Sequence, residues 1–135
     1  MNSTANGSLM IEVGAGELID KITILKIKAE HMTDATKLKN VKHELDVLRR
    51  ARAEHLVPSA DLDRLEDALR QVNEDLWVIE DDIRACEAAR DFGPKFIELA
   101  RSVYIQNDKR AAIKRSINEL YGSSIVEEKS YTESS

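Results

Sequence analysis

From Leu62 to Cys86 the apolar residues are Leu62, Leu65, Leu69, Val72, Leu76, Ile79, Ile83 and Cys86, in alternating steps of three and four. That is the a/d spacing of a helix offering one continuous seam to partner helices. With Ser59 as a cap, the spacing predicts a helix from about Ala60 to Arg90, roughly 45 Å long at the α-helical rise. A tight corner at Asp91-Phe92-Gly93-Pro94 leads into a second long helix. This one is predicted from Pro94 to Tyr121 and stops at Gly122. Upstream, Leu18, Ile22, Leu25, Ala29 and Met32 stripe a helix from Ala15 to Met32, while Ile19, Ile24 and Ile27 add apolar surface elsewhere. A helix apolar on more than one side is buried on more than one side, so this helix is the expected centre. Thr33 and Asp34 can cap another helix from Ala35 to Leu56, with Leu38, Val41, Leu45 and Leu48 inward and Arg52 at the next seam position. Pro58 ends it.

The pattern predicts an all-α antiparallel bundle of four main helices. Residues 9–131 form a single domain between disordered tails at 1–8 and 132–135. Leu9, Ile11 and Val13 alternate with Met10 and Glu12, and Ile125 and Val126 open a second extended stretch near Ser124 to Ser130. These two stretches add one option, a short β pair between the N- and C-terminal segments. No internal repeat is present.

Composition narrows the function classes. A formal charge of -5 argues against broad electrostatic binding to nucleic acid or to an anionic membrane. The lone cysteine excludes an intrachain disulfide framework, and its place in an apolar seam makes core packing its default role. No stretch approaches the roughly 20 apolar residues that span a bilayer. Met1 to Val13 lacks the basic start and long apolar run of a secretory signal, so the expected compartment is the cytoplasm. Long helices around a thin core commonly bury more surface by association, so a second copy or another protein is the expected partner.

The candidate chemistry lies where the seam is broken. The last helix reads Phe96, Leu99, Val103, Gln106, Arg110, Ile113, Ile117 and Leu120, with two polar residues in the middle. A buried arginine needs a carboxylate, because an unpaired charge out of water costs several kcal/mol or more. An antiparallel hairpin turning near Gly93 sets Arg110 opposite Asn73 to Trp77. The expectation is a polar layer of Asn73, Glu74, Trp77, Glu80 and Asp81 against Gln106, Asn107, Arg110 and Lys114. Such a layer fixes helix register, and it is also where a bundle can hold a ligand or metal. Pairs four apart, Glu17 with Lys21, Glu66 with Arg70 and Glu80 with Arg84, fit a solvated face.

Glu17 and Asp20, three apart, resemble half of the paired-carboxylate pattern of all-helical nucleotide pyrophosphatases. Glu80 and Asp81 are the residues that could complete a Mg²⁺ site with them. His31, His43 and His55 have no pair spacing and read as surface residues. Gly14-x-Gly16 is too short a pattern for a phosphate loop. The basic run of Lys109, Arg110, Lys114 and Arg115 complements the acidic middle of the preceding helix.

Three stretches are familiar together: Gly16 to Leu25 (GELIDKITIL), Leu76 to Arg84 (LWVIEDDIR) and Asn107 to Arg115 (NDKRAAIKR), the last with the tail Glu127 to Tyr131. They resemble an uncharacterised family of short bacterial helical proteins, a domain of unknown function. The resemblance runs from about Leu9 to Tyr131 and implies a bacterial, cytoplasmic protein, with no activity to carry over.

The leading reading is an interaction or scaffold module that self-associates and needs no cofactor. The rival is a metal-dependent phosphohydrolase or small phosphate-ligand binder. It would hold Mg²⁺ on Glu17, Asp20, Glu80 and Asp81, and phosphate on Arg110 and Lys114. Convergence of the four carboxylates on an open cleft favours the rival; separate pairing with lysine and arginine disfavours it.

Overall fold

The structure is a computed structural model that describes residues 7–123. It holds four helices: α1 (Ala15–His31), α2 (Ala35–His55), α3 (Ala60–Ala88) and α4 (Pro94–Leu120). Each predicted helix is present, within two residues at either end. No strand occurs among the described residues. Leu9, Met10 and Ile11 are exposed beside no ladder, so the N-terminal half of the β option is not a strand. Ser124 to Ser130, its other half, and the end of the expected domain lie outside the described residues.

Caps fix the starts of α2 and α3. The Asp34 carboxylate accepts from the Lys37 amide at 2.9 Å, and Ser59 Oγ accepts from the Leu62 amide at 3.0 Å. The start of α1 has no side-chain cap of its own. Its Gly16 amide instead donates to Asn118 Oδ1 of α4 at 2.7 Å, so one helix satisfies the orphan donor of another. That contact needs glycine, because a Cβ at residue 16 would sit 2.3 Å from the Lys114 carbonyl oxygen. The two backbones can approach only over a bare Cα.

Both ends of the hairpin are closed by Schellman motifs. At the end of α4 the Ser123 amide reaches the Asn118 carbonyl, and Gly122 at φ 61° reaches Glu119. The end of α3 repeats the pattern with Asp91 to Cys86 and Arg90 to Glu87, but the left-handed residue is Arg90, at φ 54°. Gly93, the glycine expected to make this corner, is the extended N-cap of α4 instead, with Pro94 at the first helical position.

Helix α1 packs against α2, α3 and α4, and α3 packs along α4. The core joins Leu18, Ile19, Ile22 and Leu25 of α1 to Val41 and Leu45 of α2, Leu62 and Leu69 of α3, and Ile117 of α4. Ile19 and Ile22 are fully buried, as expected of a helix apolar on several sides. Each such side chain contributes about 1.5–3 kcal/mol by leaving water. Cover is uneven along the hairpin: from residue 78 to residue 113 only Cys86 is buried. The inner half of α3–α4 is core, and the outer half is a two-helix arm.

Replacing Arg90 by glycine relieves the left-handed strain at the α3 corner. We expect Arg90→Gly to stabilise the chain by about 0.5–1 kcal/mol, less than the full left-handed penalty because glycine loses more entropy on folding. A raised denaturation midpoint with an unchanged slope is the expected reading; a lowered midpoint contradicts the assignment.

Candidate functional site

Asp20 lies on the buried face of α1, one turn beyond the close approach at Gly16. Its carboxylate is fully buried and is met from two helices. Asn73 Nδ2 of α3 donates to Oδ1 at 2.9 Å, and Arg110 Nε of α4 donates to the same oxygen at 3.0 Å. Arg110 Nη2 takes Oδ2, making a two-pronged guanidinium–carboxylate pair. The second N–H of Asn73 goes to Thr23 Oγ1 at 2.8 Å, and Thr23 in turn donates to the Asp20 carbonyl at 2.8 Å. A carboxylate can only accept, so this network fixes which way the Asn73 amide points. One turn away, the buried Lys114 Nζ donates to Glu17 Oε2 at 2.8 Å and lies 4.0 Å from Asp20 Oδ2.

The expected polar layer is therefore assembled around a different anion. Arg110 pairs with Asp20, not with Glu74, Glu80 or Asp81, because α1 lies in the groove of the hairpin and reaches the guanidinium first. Glu74 is rotated about 100° from Asn73 on the helix and stands 3.8 Å from Arg70, outside the layer. Gln106 is in the α3–α4 seam with its Oε1 buried and without a partner among the described residues.

The remaining candidates frame a cleft of about 400 Å³ between the second half of α1 and the base of the arm. Asn73, Trp77, Glu80 and Asp81 of α3 line it, with Asn107 and Arg110 of α4. Ile24, Ile27 and Lys28 form the α1 wall. Trp77 stacks on His31, with ring centroids 4.9 Å apart and planes at 19°, a contact no spacing in the sequence announced. A second, broader cleft between α1 and α2 includes Lys26, Glu30, Asp46 and Arg70. All four are spent on ion pairs, with Glu66, Arg70, Arg50 and Glu30 respectively.

The four carboxylates of the Mg²⁺ alternative do not converge. Glu17 and Asp20 are held by Lys114 and Arg110, while Glu80 and Asp81 stand exposed in the cleft wall. No group of three or more His, Cys, Asp or Glu suited to a metal occurs among the described residues. The cations meant for phosphate, Arg110 and Lys114, are the partners of those same carboxylates. The three short-range pairs fare no better, because long-range partners compete with helix neighbours. Glu17 chooses Lys114 over Lys21. Glu66 chooses Lys26 at 3.0 Å and Arg52 at 2.7 Å over Arg70. Glu80 makes no ion pair with Arg84.

Arg52, which interrupts the apolar stripe of α2, thus meets the buried Glu66 across the core. Burial alone would raise the Glu66 carboxyl, but hydrogen bonds from Arg52 and Lys26 outweigh it and hold it below the ordinary range.

Residues 9–135 match a family described as "Family of unknown function (DUF6165)", and the chain belongs to it. No curated protein and no solved structure matches the chain.

The lowered Glu66 value sets a pH dependence. Stabilisation from this group is fully present above the unfolded carboxylate's value, and it is lost as pH falls through the lower folded value. We expect Glu66→Gln to cost about 1–2 kcal/mol at neutral pH in urea unfolding. The gap from the wild type should close as the pH is lowered through the acid range. A gap that stays constant with pH contradicts the pairing.

Proposed function

We propose that this chain is a protein-interaction module that associates with itself through the outer arm of the α3–α4 hairpin. The supporting observation is the run from residue 78 to residue 113 in which Cys86 alone is buried. Seam residues there, among them Ile79, Ile83, Phe96, Leu99 and Val103, are only half-buried. Two helices leave an a/d seam partly wet; a third or fourth helix closes it.

Further apolar side chains stand outside the seam. Val78 and Ile97 are each 56% exposed, Phe92 is 52% exposed, and Tyr104 and Ile105 accompany them. Ile97 and Tyr104 are seven apart on α4 and share a stripe, with Ile105 beside it. Large apolar side chains gathered on one thin element, rather than scattered singly, mark an interaction surface. Arm against arm doubles the number of helices around the seam, and a twofold axis lets one patch serve both copies.

A catalytic reading is less well supported by the same geometry. Glu17 and Asp20 accept hydrogen bonds from Lys114 and Arg110, and displacing them exposes buried charge. No helix among the described residues is long and apolar enough to cross a membrane.

Light scattering on the purified chain tests this reading. The wild type should run as a dimer or larger at micromolar concentration. Ile97→Glu combined with Tyr104→Glu should give a monomer with the same helical content by circular dichroism, since both positions are exposed. A wild type that stays monomeric up to high micromolar concentration removes the proposal.

A further inference from the structure

The cleft between α1 and the base of the arm has features that the arm's association does not use. Asn73, 6% exposed, lines it, and the two N–H groups of its amide are both committed to Asp20 and Thr23. Asn73 Oδ1 accepts no hydrogen bond from any described residue, and the network forbids the amide from flipping. Unlike Gln106 Oε1, this oxygen is not sealed from solvent, so a fixed, accessible acceptor is built into a residue that lines the cleft.

Around it the charges balance. Arg110 is matched by Asp20. Lys28 and Arg84 contribute two positive charges, and Glu80 and Asp81 two negative ones. Among the described residues none of these four makes a hydrogen bond or ion pair through its side chain. Trp77, Ile24 and Leu76 supply apolar wall between them. Each simple ligand class meets a repulsive group. A phosphate or other anion faces Glu80 and Asp81, a bare cation faces Lys28 and Arg84, and an uncharged apolar molecule strands the Asn73 oxygen.

The geometry points to a small zwitterion with an apolar body, an α-amino acid with an aliphatic side chain, as the ligand of this cleft. Its ammonium group is suited to Glu80, Asp81 and the Asn73 oxygen, and its carboxylate to Lys28 and Arg84. Its aliphatic part lies against Trp77 and Leu76. A volume of about 400 Å³ accommodates a ligand of this size.

Trp77 is the single tryptophan of the chain and lines the cleft, so tryptophan fluorescence reports on this site. Titration of the full chain with L-leucine and L-methionine should change its emission saturably. Leucinamide, which lacks the carboxylate, and N-acetyl-leucine, which lacks the ammonium, should bind at least tenfold more weakly. Inorganic phosphate should leave the emission unchanged.

Glu80→Gln combined with Asp81→Asn, both exposed, should reduce L-leucine binding tenfold or more at an unchanged melting temperature, without weakening N-acetyl-leucine. Three results overturn the inference: no spectral change with either amino acid, equal or tighter binding of either blocked analogue or of phosphate, and L-leucine binding unaffected by the double substitution. The arm's association is measured separately by light scattering, so either reading can fail without the other.

Discussion

A carboxylate with no access to water holds this fold together. Asp20 sits in the first half of α1, a helix that packs against all three others, and it takes hydrogen bonds from α3 through Asn73 and from α4 through Arg110. Desolvating a carboxylate costs several kcal/mol, and the pair repays this only with good geometry and further hydrogen bonds. Both conditions hold here: the guanidinium approaches in a two-pronged mode, and Asn73 is itself fixed by Thr23. The cost of leaving Asp20 unmatched is what sets the axial and rotational position of α1 on the hairpin.

Two consequences follow from where that contact falls. It lies near the inner end of the hairpin, beside the close α1–α4 approach at Gly16 and Asn118. Helix α1 therefore covers the inner half of α3–α4 and leaves the outer half bare, which produces an arm with a half-wet seam. The second half of α1 stays in contact with α3 through Glu30 and His31, and the cleft opens between it and the base of the arm. Asn73 and Arg110 of the buried network line that cleft, and so does Trp77, which stacks on His31. Anchor, cleft and arm are three results of one crossing.

The helices were legible because their apolar spacing is regular and their caps, Asp34 and Ser59, are strong local cues. The centrality of α1 was legible from its excess of isoleucines. The candidate residues were partly legible. A polar break in the α4 seam pointed to Arg110, and hairpin register pointed to Asn73, Trp77, Glu80, Asp81 and Asn107, all of which meet at the cleft. The partner of Arg110 was not legible, since register along a hairpin says nothing about where a third helix crosses it. The same gap hid Glu17 with Lys114, Glu66 with Lys26 and Arg52, and His31 on Trp77, each a contact between different helices. Gly16 was weighed only within Gly14-x-Gly16, a pattern too short for a phosphate loop; its necessity shows only when the Lys114 carbonyl is placed over it. Arg90 in a left-handed conformation was hidden because its neighbour Gly93 was the obvious candidate for the corner.

The most direct measurement is a double-mutant cycle on Asp20→Asn and Arg110→Met, read by urea unfolding. Because Arg110 keeps 30% of its side chain exposed, its charge is partly screened, and we expect a coupling of about 2 kcal/mol, not the 3–5 kcal/mol cost of breaking a fully buried pair. Substitutions that add within about 0.5 kcal/mol would mean that the two residues do not act together. In that case α1 is held on the hairpin by its apolar packing and its other polar contacts, not by this pair.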